Sequence, residues 1–554
     1  MKSIIKSFSE HGTLVQPETL DYIMSKENPK EFTFFIEKNL KEYPLVLKID
    51  QIKNLEKNLI ETKISSPEKD ISEVKEIQTK MISSIYGGDL PKTEIEEFET
   101  DFDDEEDQID VFDIEEGNTE VPQIIDIRKS TDWKPESKEY RSEIKIFKDI
   151  TGNSTSEGTS DDFTKLFLDR FEVLKKLLRR QRREMVNIMP IKKIFNNNLK
   201  EIQFVGIIKD IKTTKNGHKL IEIEDDTGIA TTIALNSNRD VIQMANEVIL
   251  DEIVGIRGQL SKNGDLIVIN SLVFPDISIQ NDHHKSETPV CAAFLSDIHM
   301  GSKQFMEKQW QHFLKWINGN VGNSRQRKVA GKIKYIVIPG DVVDGIGIYP
   351  NQESELSITD VYRQYEVLAE QMQLIPEYIS IIMQPGNHDA VRPAEPQPTF
   401  EKEIQNLFSS NNVTFVGNPC YFSLNGVEVL SYHGQSLLDF ATNIQHLQYN
   451  EPIEIMKMML KKHHLAPTYG GYTPLAPEHA DYMVIDKVPD IFVTGHVHLA
   501  TIGEYRGITL INASSWQSQT SYQKMLNFIP DSAKLPIVDL KTSNVTMMDF
   551  SQKI

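Results

Sequence analysis

The sequence predicts a multidomain α+β protein in which a small β-barrel precedes a larger α/β domain. With 554 residues, the chain exceeds what one hydrophobic core organises, and this length is typical of about three or four domains. Residues 200–278 contain short apolar segments separated by turn signals, as antiparallel strands do. From residue 289 onward, apolar strand-like runs alternate with helical patterns, which indicates a sheet covered by helices.

The N-terminal residues 1–65 are predicted to form a small helical domain. Apolar residues recur near helical spacing, first at Ile4, Ile5 and Phe8 and again from Phe32 to Leu40. The pattern carries no recognisable chemistry, so we interpret this domain as an interaction or docking unit.

Residues 66–158 are predicted to be an acidic, disordered linker. Between Thr93 and Ile127 there are 16 acidic residues and no Lys or Arg, so this segment accounts for most of the net charge of −22. Such a composition buries too little apolar surface to offset the entropy lost on ordering. A solvated tether is the favoured interpretation; a partner-binding motif or a competitor of nucleic acid for a basic groove is the alternative. The global charge therefore says little about the folded domains.

A basic amphipathic helix is predicted within residues 159–190. Asp161 and Asp162 suit its first turn and Pro190 ends it, so we expect a helix over Asp161–Met189. Its second half is dense in basic residues, which either contact nucleic-acid phosphates or form a solvated face. These residues are Lys175, Lys176, Arg179, Arg180, Arg182 and Arg183.

Residues 191–280 show the strand plan of an OB-fold. Five strands are expected, with a helix near Arg239–Val248 between the third and the fourth. The expected strands are Ile202–Thr213, Lys219–Glu224, Ile229–Leu235, Glu252–Leu260 and Leu266–Val273. OB-folds often bind single-stranded nucleic acid, but few aromatic residues lie on these strands, so a packing or interface role is an equal alternative.

In residues 289–554, polar side chains follow the ends of five apolar strands. The first strand ends in Asp297 and His299, which point to one face if the strand continues, since residues i and i+2 share a face. The next four strands, Lys334–Pro339, Ile379–Gln384, Val427–Tyr432 and Ile491–Thr494, end in Gly-Asp-Val-Val-Asp-Gly, Gly-Asn-His-Asp, His-Gly-Gln and Gly-His-Val-His. Each motif alone is an ordinary turn; the five in order make coincidence improbable.

These strand ends offer a set of metal ligands that contains nitrogen and oxygen and no thiolate. The seven candidate ligands are Asp297, His299, Asp341, Asn387, His433, His496 and His498. Such a set suits a pair of divalent ions such as manganese, iron or zinc, with magnesium also compatible, and excludes an iron–sulfur cluster. The chain has 2 cysteines, and neither has zinc-ligand spacing, so structural zinc and a disulfide framework are not expected.

The motif series resembles that of the calcineurin-like metallophosphoesterase superfamily. Four further stretches resemble the small, exonuclease subunit of archaeal family D DNA polymerase: Gly340–Pro350, Arg392–Pro398, His464–Gly470 and Trp516–Thr520. The order of helical domain, acidic linker, OB-fold and phosphoesterase domain resembles that subunit too. The implied fold of residues 289–554 is a β-sandwich flanked by helices.

The resemblance implies roles for the candidate residues. Asp297, His299 and His498 would hold one metal, Asn387, His433 and His496 the other, and Asp341 would bridge the two. His388 would be the acid that protonates the departing 3′ oxygen, with Asp344 or Asp389 orienting it.

The resemblance also implies a function, a manganese-dependent 3′-to-5′ exonuclease that proofreads for a two-subunit replicative polymerase. The implied partners are the large catalytic subunit and DNA with a single-stranded or mispaired 3′ end, with a sliding clamp as a further candidate. Two alternatives stay open: a catalytically inactive scaffold of the polymerase, and a phosphatase or phosphodiesterase of the same superfamily.

A soluble, unexported, cytoplasmic protein is expected. Lys2, Lys6 and Glu10 interrupt the apolar residues at the start of the chain, and no run of about 18 apolar residues occurs. No membrane partner is therefore predicted.

Overall fold

The computed structural model describes residues 133–195, 201–278, 283–408 and 412–552, together with residues 14–15, 19, 22–23, 33, 36 and 46–47 nearer the N-terminus. The chain divides into two units, Met1–Asp113 and Ile114–Ile554. In the first unit, β1 (Leu14–Val15) pairs in parallel with β2 (Val46–Leu47), and the other described residues are helical. The rest of the predicted helical domain and the acidic segment 93–127 lie outside the described residues.

The second unit begins with a 3-10 turn, Glu136–Glu139, and contains seventeen strands and ten helices in its described residues. The strands are β3 Ile144–Lys148, β4 Ile202–Thr213, β5 Lys219–Asp225, β6 Gly228–Ala234, β7 Ile253–Leu260, β8 Ile267–Val273, β9 Cys291–Phe294, β10 Ile333–Ile338, β11 Ser380–Met383, β12 Val413–Phe415, β13 Cys420–Leu424, β14 Val427–Ser431, β15 Ile491–Thr494, β16 Thr501–Tyr505, β17 Ile508–Asn512, β18 Lys534–Asp539 and β19 Val545–Asp549. The helices are α1 Ser160–Gln181, α2 Ile191–Ile194, α3 Arg239–Ala245, α4 Glu307–Ile317, α5 Ser324–Lys332, α6 Val361–Met372, α7 Lys402–Leu407, α8 Leu437–Asn443, α9 Pro452–Lys462 and α10 Ser521–Met525.

Strands β4 to β8 form a closed five-stranded barrel in the order β4-β5-β6-β8-β7. The barrel closes through a parallel pairing of β6 with β8, and α3 lies between β6 and β7 in the chain, as the sequence predicted. Apolar side chains from its strands fill the interior, where Phe204, Ile221 and Ile256 are fully buried. The predicted strands agree with the observed ones to within about one residue, because turn signals bound each of them.

The remaining strands form two six-stranded sheets that pack face to face. One sheet has the order β12-β11-β10-β9-β18-β19 and the other β16-β17-β15-β14-β13-β3. Their inner faces share a buried cluster that includes Phe294 and Tyr335 of the first sheet and Phe422 and Val493 of the second. Helices cover the outer faces, where α4 and α6 contribute to one apolar cluster and α8 and α9 to another. Sheets buried on both faces explain why their strands are nearly continuous apolar runs.

The linker prediction does not hold for residues 133–158. Strand β3 pairs antiparallel with β13, with Ile146 opposite Phe422, and the Asp149 carboxylate accepts hydrogen bonds from the backbone N–H groups of Thr151 and Gly417. Backbone hydrogen bonds to β13 and these polar contacts hold the segment against the second sheet. The prediction of disorder rested on the low apolar content of the segment, and these hydrogen bonds do not depend on it.

Helix α1 is shorter than predicted, ending at Gln181 instead of Met189. Its N-terminus has a capping box between Thr159 and Asp162. At the other end, Arg182 is extended, and its guanidinium donates to the carbonyl oxygens of Phe274 and Pro275. These contacts turn the chain away from the helix axis. Within the described ranges, none of the helices combines the length and apolar character that a membrane crossing requires.

Candidate metal centre

Five strand ends bring the candidate residues to one edge of the two packed sheets. Strands β9, β10 and β11 are parallel neighbours in one sheet, and β14 and β15 are parallel neighbours in the other. Parallel strands present their carboxyl ends at the same edge, so the loops that follow them meet. They border a cavity of about 430 Å³, whose polar lining residues include His299, Asp341, Asp344, Asn387, His388, His496 and His498.

The loops that carry these residues have unusual backbone conformations. Five of the seven predicted metal ligands have positive φ angles: Asp297 (51°), His299 (50°), Asp341 (50°), His496 (68°) and His498 (58°). Residues other than glycine rarely adopt this left-handed region, and when they do they cluster at functional sites. The sharp turns aim successive side chains at the cavity instead of continuing the strand.

One group of ligand atoms consists of Asp297, His299 and His498. Nε2 of His498 lies 3.3 Å from Oδ1 of Asp297 and 3.0 Å from Nε2 of His299. All three side chains are buried, and their ligand atoms lie within 4.8 Å of one another. The resemblance implied that these three residues hold one metal, and the structure brings them together.

A second group consists of Asp341, His433 and His496, whose ligand atoms also lie within 4.8 Å of one another. Nε2 of His433 is 3.2 Å from Oδ2 of Asp341 and 2.9 Å from the amide oxygen of Asn387. Asp341 also lies near the first group, with its Oδ2 3.9 Å from Nε2 of His299. The position of Asp341 between the two groups agrees with the bridging role that the resemblance implied.

Hydrogen bonds at the outer nitrogens fix which histidine atoms face the other predicted ligands. Nδ1 of His433 lies 2.9 Å from the Pro339 carbonyl oxygen, which can only accept, so this nitrogen carries the proton. Nδ1 of His299 lies 2.9 Å from the Asp344 carboxylate. Both rings therefore turn Nε2 toward the neighbouring carboxylates, which is how metal-binding histidines are oriented.

The groups that face each other suit a pair of divalent cations. The atoms converging on the cavity are carboxylate oxygens, an amide oxygen and imidazole nitrogens, and lone pairs of this kind repel one another unless protons or cations lie between them. The two buried cysteines, Cys291 and Cys420, belong to the cores of the sheets and not to the cavity lining. The donor set therefore fits ions that prefer nitrogen and oxygen ligands.

Burial and mutual charge polarise the site. Burial disfavours protonated His433, but the adjacent Asp341 carboxylate outweighs burial and raises the pKa of His433 to about 10. Burial lowers the pKa of His496 to about 3. Burial also disfavours the Asp341 carboxylate, yet the nearby His433 and His388 hold its pKa well below the usual range. The cavity thus keeps Asp341 ionised for a cation.

His388 lies beside both groups without lying in either predicted metal set. Its Nδ1 is 2.8 Å from the carbonyl oxygen of Asp344, and its backbone N–H donates to Oδ1 of Asp341. Its ring is 4.7 Å from that of His299, at nearly a right angle, and its ligand atom is within reach of His299 and Asp341. Because Nδ1 donates to a carbonyl, Nε2 is the atom available to the cavity.

Asp344 and Asp389 support the site in different ways. Asp344 orients His299 through its carboxylate and His388 through its carbonyl oxygen. The Asp389 carboxylate instead accepts hydrogen bonds from backbone N–H groups, 2.9 Å from that of Gly386 and 3.3 Å from that of Val342. Burial raises the pKa of Asp389 to about 7. Asp389 therefore joins the loop that carries Asp341 to the loop that carries Asn387. These hydrogen bonds go to backbone N–H groups and do not orient the His388 ring.

Glycine is required at a position where two of these loops approach each other closely. A Cβ atom on Gly386 would lie 2.2 Å from Oδ1 of Asp341 and 2.7 Å from Cε1 of His433. No side chain fits there without displacing two predicted ligands. The glycine of the Gly-Asn-His-Asp motif therefore leaves room for its neighbours.

The predicted DNA-binding residues of α1 and the turn after it divide into two sets. Lys176, Arg179, Arg180 and Arg183 are exposed. Lys175 pairs with Glu172 at 3.4 Å, and Arg182 pairs with Asp276 at 3.3 Å in addition to its carbonyl contacts. The exposed four are accessible to phosphates, and the role of the patch in DNA binding stays a prediction.

Sequence reasoning missed the glutamines that support the site. Gln517 donates to Oδ1 of Asp344 at 3.0 Å, Gln352 to the Asp344 carbonyl oxygen at 2.7 Å, and the Gln523 amide lies 3.0 Å from Nδ1 of His498. Gln517 lies in Trp516–Thr520, one of the stretches that carried the family resemblance. That resemblance was the only feature of the sequence that pointed to Gln517. A glutamine has no spacing rule that would mark it as a support for a histidine.

Comparison with known proteins gives this geometry a family context. Residues 292–502 match the family described as the B subunit of DNA polymerases alpha and epsilon. A protein of Archaeoglobus fulgidus named DNA polymerase II small subunit is 45% identical over 391 residues, which cover 70% of this chain and 77% of that protein. Proteins of the same name from Methanocaldococcus jannaschii and Methanothermobacter thermautotrophicus are 41% and 39% identical, covering 73% and 74% of this chain and 68% and 83% of theirs.

Proposed function

Because the chain belongs to the family of archaeal DNA polymerase II small subunits, we propose that it is the 3′-to-5′ exonuclease subunit of a replicative polymerase. It would remove nucleotides from a single-stranded or mispaired 3′ end and assemble with a large catalytic subunit. The family supports the partner and the DNA substrate. The direction of digestion rests on the resemblance noted for the motif series.

The observation that carries the proposal is that seven nitrogen- and oxygen-bearing side chains meet at one edge of the sheets, five of them in the lining of one cavity. Asp297, His299 and His498 would hold one divalent ion, and Asn387, His433 and His496 the other, with Asp341 between them. Bound cations would stabilise the charge that develops on the attacking and leaving oxygens of a phosphodiester. Manganese is the ion we expect, with iron, zinc or magnesium compatible with the same donors.

His388 is the proposed proton donor to the departing 3′ oxygen. Its Nδ1–H is held by the Asp344 carbonyl oxygen, so a second proton on Nε2 would face the substrate. Burial opposes that proton, but the Asp341 and Asp344 carboxylates outweigh burial and raise the pKa of His388. A raised pKa keeps the imidazolium present near neutral pH, as a general acid requires.

The fold supports the substrate assignment. We infer that the closed barrel is an OB-fold and that the two helix-covered sheets are a calcineurin-like phosphoesterase domain. In this interpretation, the barrel and the exposed basic residues of α1 would contact the DNA strand whose end reaches the cavity.

A nuclease assay on the purified full chain, with and without the large subunit, tests this function. A 5′-labelled oligonucleotide duplex with a mispaired 3′ end should shorten stepwise in Mn²⁺. Asp341→Ala and His388→Ala should each abolish shortening, whereas both variants should still co-purify with the large subunit. The reverse labelling, at the 3′ end, distinguishes the direction of digestion.

The outcomes separate the proposal from its alternatives. No digestion by the wild-type chain in any divalent ion, alone or in the complex, would favour the inactive scaffold. Hydrolysis of a small aryl phosphate without digestion of the oligonucleotide would favour a phosphatase. Undiminished digestion by both variants would refute the site assignment.

A further inference from the structure

The mouth of the metal cavity has an apolar side that the proposed reaction has not used. Beside the polar floor, the cavity lining includes Ile348, Tyr349, Leu438, Val497, Tyr522 and Leu526. Asp341 and Asp344 are the carboxylates in the described lining, and both lie on the floor. A phosphate ester bound at the floor would therefore have its organic substituent against an uncharged wall.

Two tyrosines belong to this wall, and one of them lies beside His388. The ring of Tyr349 lies 6.4 Å from that of His388, and the ring of Tyr522 lies 6.2 Å from Tyr349 with an interplanar angle of 25°. The Tyr349 hydroxyl is 3.3 Å from the Glu355 carboxylate. The rings of Tyr349 and Tyr522 are thus nearly parallel, and Tyr349 lies beside the proposed proton donor.

Tyr522 is exposed but its backbone is anchored to the metal centre. The residue is 47% accessible. The following residue, Gln523, accepts a hydrogen bond from the Thr520 backbone N–H through its amide oxygen, and its amide nitrogen lies 3.0 Å from Nδ1 of His498. Helix α10 therefore presents an aromatic face at a position fixed relative to a predicted metal ligand.

We propose that Tyr522, supported by Tyr349, is a stacking subsite for a nucleobase next to the scissile phosphate. This inference rests on the proposed function and names how that site would take single-stranded DNA. Aromatic faces stack on any base, and this tolerance suits an enzyme that must accept every sequence at a 3′ end. An unpaired base reaches such a face, whereas a base held in a duplex is stacked on its neighbours, so the subsite would favour frayed or mispaired ends.

The chemistry of the wall favours a base over a protein partner at Tyr522. The wall continues directly from the cavity floor, so an occupant of the floor extends onto it. Met525 and Ile529, the more exposed apolar residues of this segment at 77% and 75% accessibility, are absent from the cavity lining. A protein partner would contact those two residues first, which makes Met525 a matched control on the same helix.

The experiment compares Tyr522→Ala, Tyr522→Phe and Met525→Ala in the full chain. Digestion of single-stranded DNA by Tyr522→Ala should show a fall in kcat/KM of about tenfold, the effect expected for the loss of one base–aromatic stack. Tyr522→Phe and Met525→Ala should stay near the wild type, because the first keeps the aromatic face and the second lies off the cavity. On an oligonucleotide with an abasic 3′-terminal residue, the wild type should lose a similar factor and Tyr522→Ala should lose little more.

A binding readout separates this inference from the proposed activity. An oligonucleotide that ends in 2-aminopurine, bound in Ca²⁺, should lose fluorescence on the wild type and on Met525→Ala but not on Tyr522→Ala. If the chain digests no DNA but still quenches 2-aminopurine in a way that depends on Tyr522, the stacking subsite is supported and the proposed nuclease activity is refuted. The subsite would be overturned if Tyr522→Ala digested DNA at the wild-type kcat/KM. It would also be overturned if Tyr522→Ala and Met525→Ala lost assembly with the large subunit equally and kept their digestion.

Discussion

Replacing Asp344 with asparagine should weaken metal binding without removing a predicted ligand. Oδ1 of Asp344 lies 2.9 Å from Nδ1 of His299 and 3.0 Å from Nε2 of Gln517, and its Oδ2 lies 3.4 Å from Nε2 of Gln352. Every one of these neighbours is a donor. An amide at this position has one oxygen where the carboxylate has two, so its NH₂ group must face a donor. The substitution would therefore lose a charge-assisted hydrogen bond to His299 or place two donors against each other.

The size of the effect follows from these contacts. A hydrogen bond to a charged acceptor contributes about 1.5–3 kcal/mol and a neutral one about half as much, and a loss of about 1.4 kcal/mol corresponds to a tenfold weaker affinity for the ion. Changes to residues that orient a metal-binding histidine commonly reduce metal affinity 10- to 100-fold, roughly the same range. We expect the apparent Kd for Mn²⁺ to rise by about that factor.

Calorimetric titration of Mn²⁺ into the full chain measures this directly, and nuclease activity should recover when excess Mn²⁺ is added. Asp341→Asn should not recover, because it changes a predicted ligand. Asp360→Asn is a matched control, since its exposed carboxylate caps α6 by accepting from the Arg363 N–H. Wild-type Mn²⁺ affinity in a folded Asp344→Asn variant would refute the proposed orientation of His299.

Two further predictions concern the fold and the proton donor. Arg170→Ala should lower the free energy of unfolding by about 3–5 kcal/mol, because it leaves the buried Asp481 carboxylate without its cation. Urea denaturation measures this change, and it should show little change for Lys165→Ala, whose ion pair is exposed. Equal stability of the two variants would contradict the argument from burial. Nuclease activity should fall as the pH rises, since burial lowers the pKa of His388 but the Asp341 carboxylate outweighs burial and raises it, and the protonated form is lost above that pKa. A wild-type pH–rate profile without an alkaline decline would refute the role of His388 as the acid.

The elements predicted correctly from the sequence are those whose ends are marked by local sequence signals. Strand β4 was predicted over the range that the structure shows, Ile202–Thr213, and β15 over Ile491–Thr494. Glycine and asparagine turns end the barrel strands, and an apolar run followed by a polar motif marks each strand that reaches the cavity. Both kinds of signal lie within a few residues of the element they define.

Features that depend on distant partners were not predicted. Strand β3 exists through its pairing with β13, which lies far along the chain in another domain region, and its surrounding composition resembles that of the acidic linker. Arg170 lies in the helix whose basic residues were interpreted as a surface patch, yet it is fully buried and 2.7 Å from Asp481. No local pattern distinguishes a buried arginine from an exposed one when its partner lies 311 residues away.

The site shows the same division between what is local and what is distant. The motifs identified the side chains that converge on the cavity, because each motif is continuous in the sequence. The resemblance implied Asp344 or Asp389 as the residue that orients His388, but the contact of Asp344 with His299 was not predicted. They arise where loops from different strands meet, and such contacts depend on how the two sheets pack.

The left-handed backbone at five predicted ligands has a consequence for the stability of the whole chain. Each non-glycine residue in this conformation raises the free energy of the folded state by about 1–3 kcal/mol, so Asp297, His299, Asp341, His496 and His498 together store a large fraction of a typical domain's stability. A chain that served only as a scaffold would gain stability by placing glycine at these positions. Divalent ions that bind the folded state would return part of that free energy, and the thermal stability of the protein should therefore depend on whether its metals are bound.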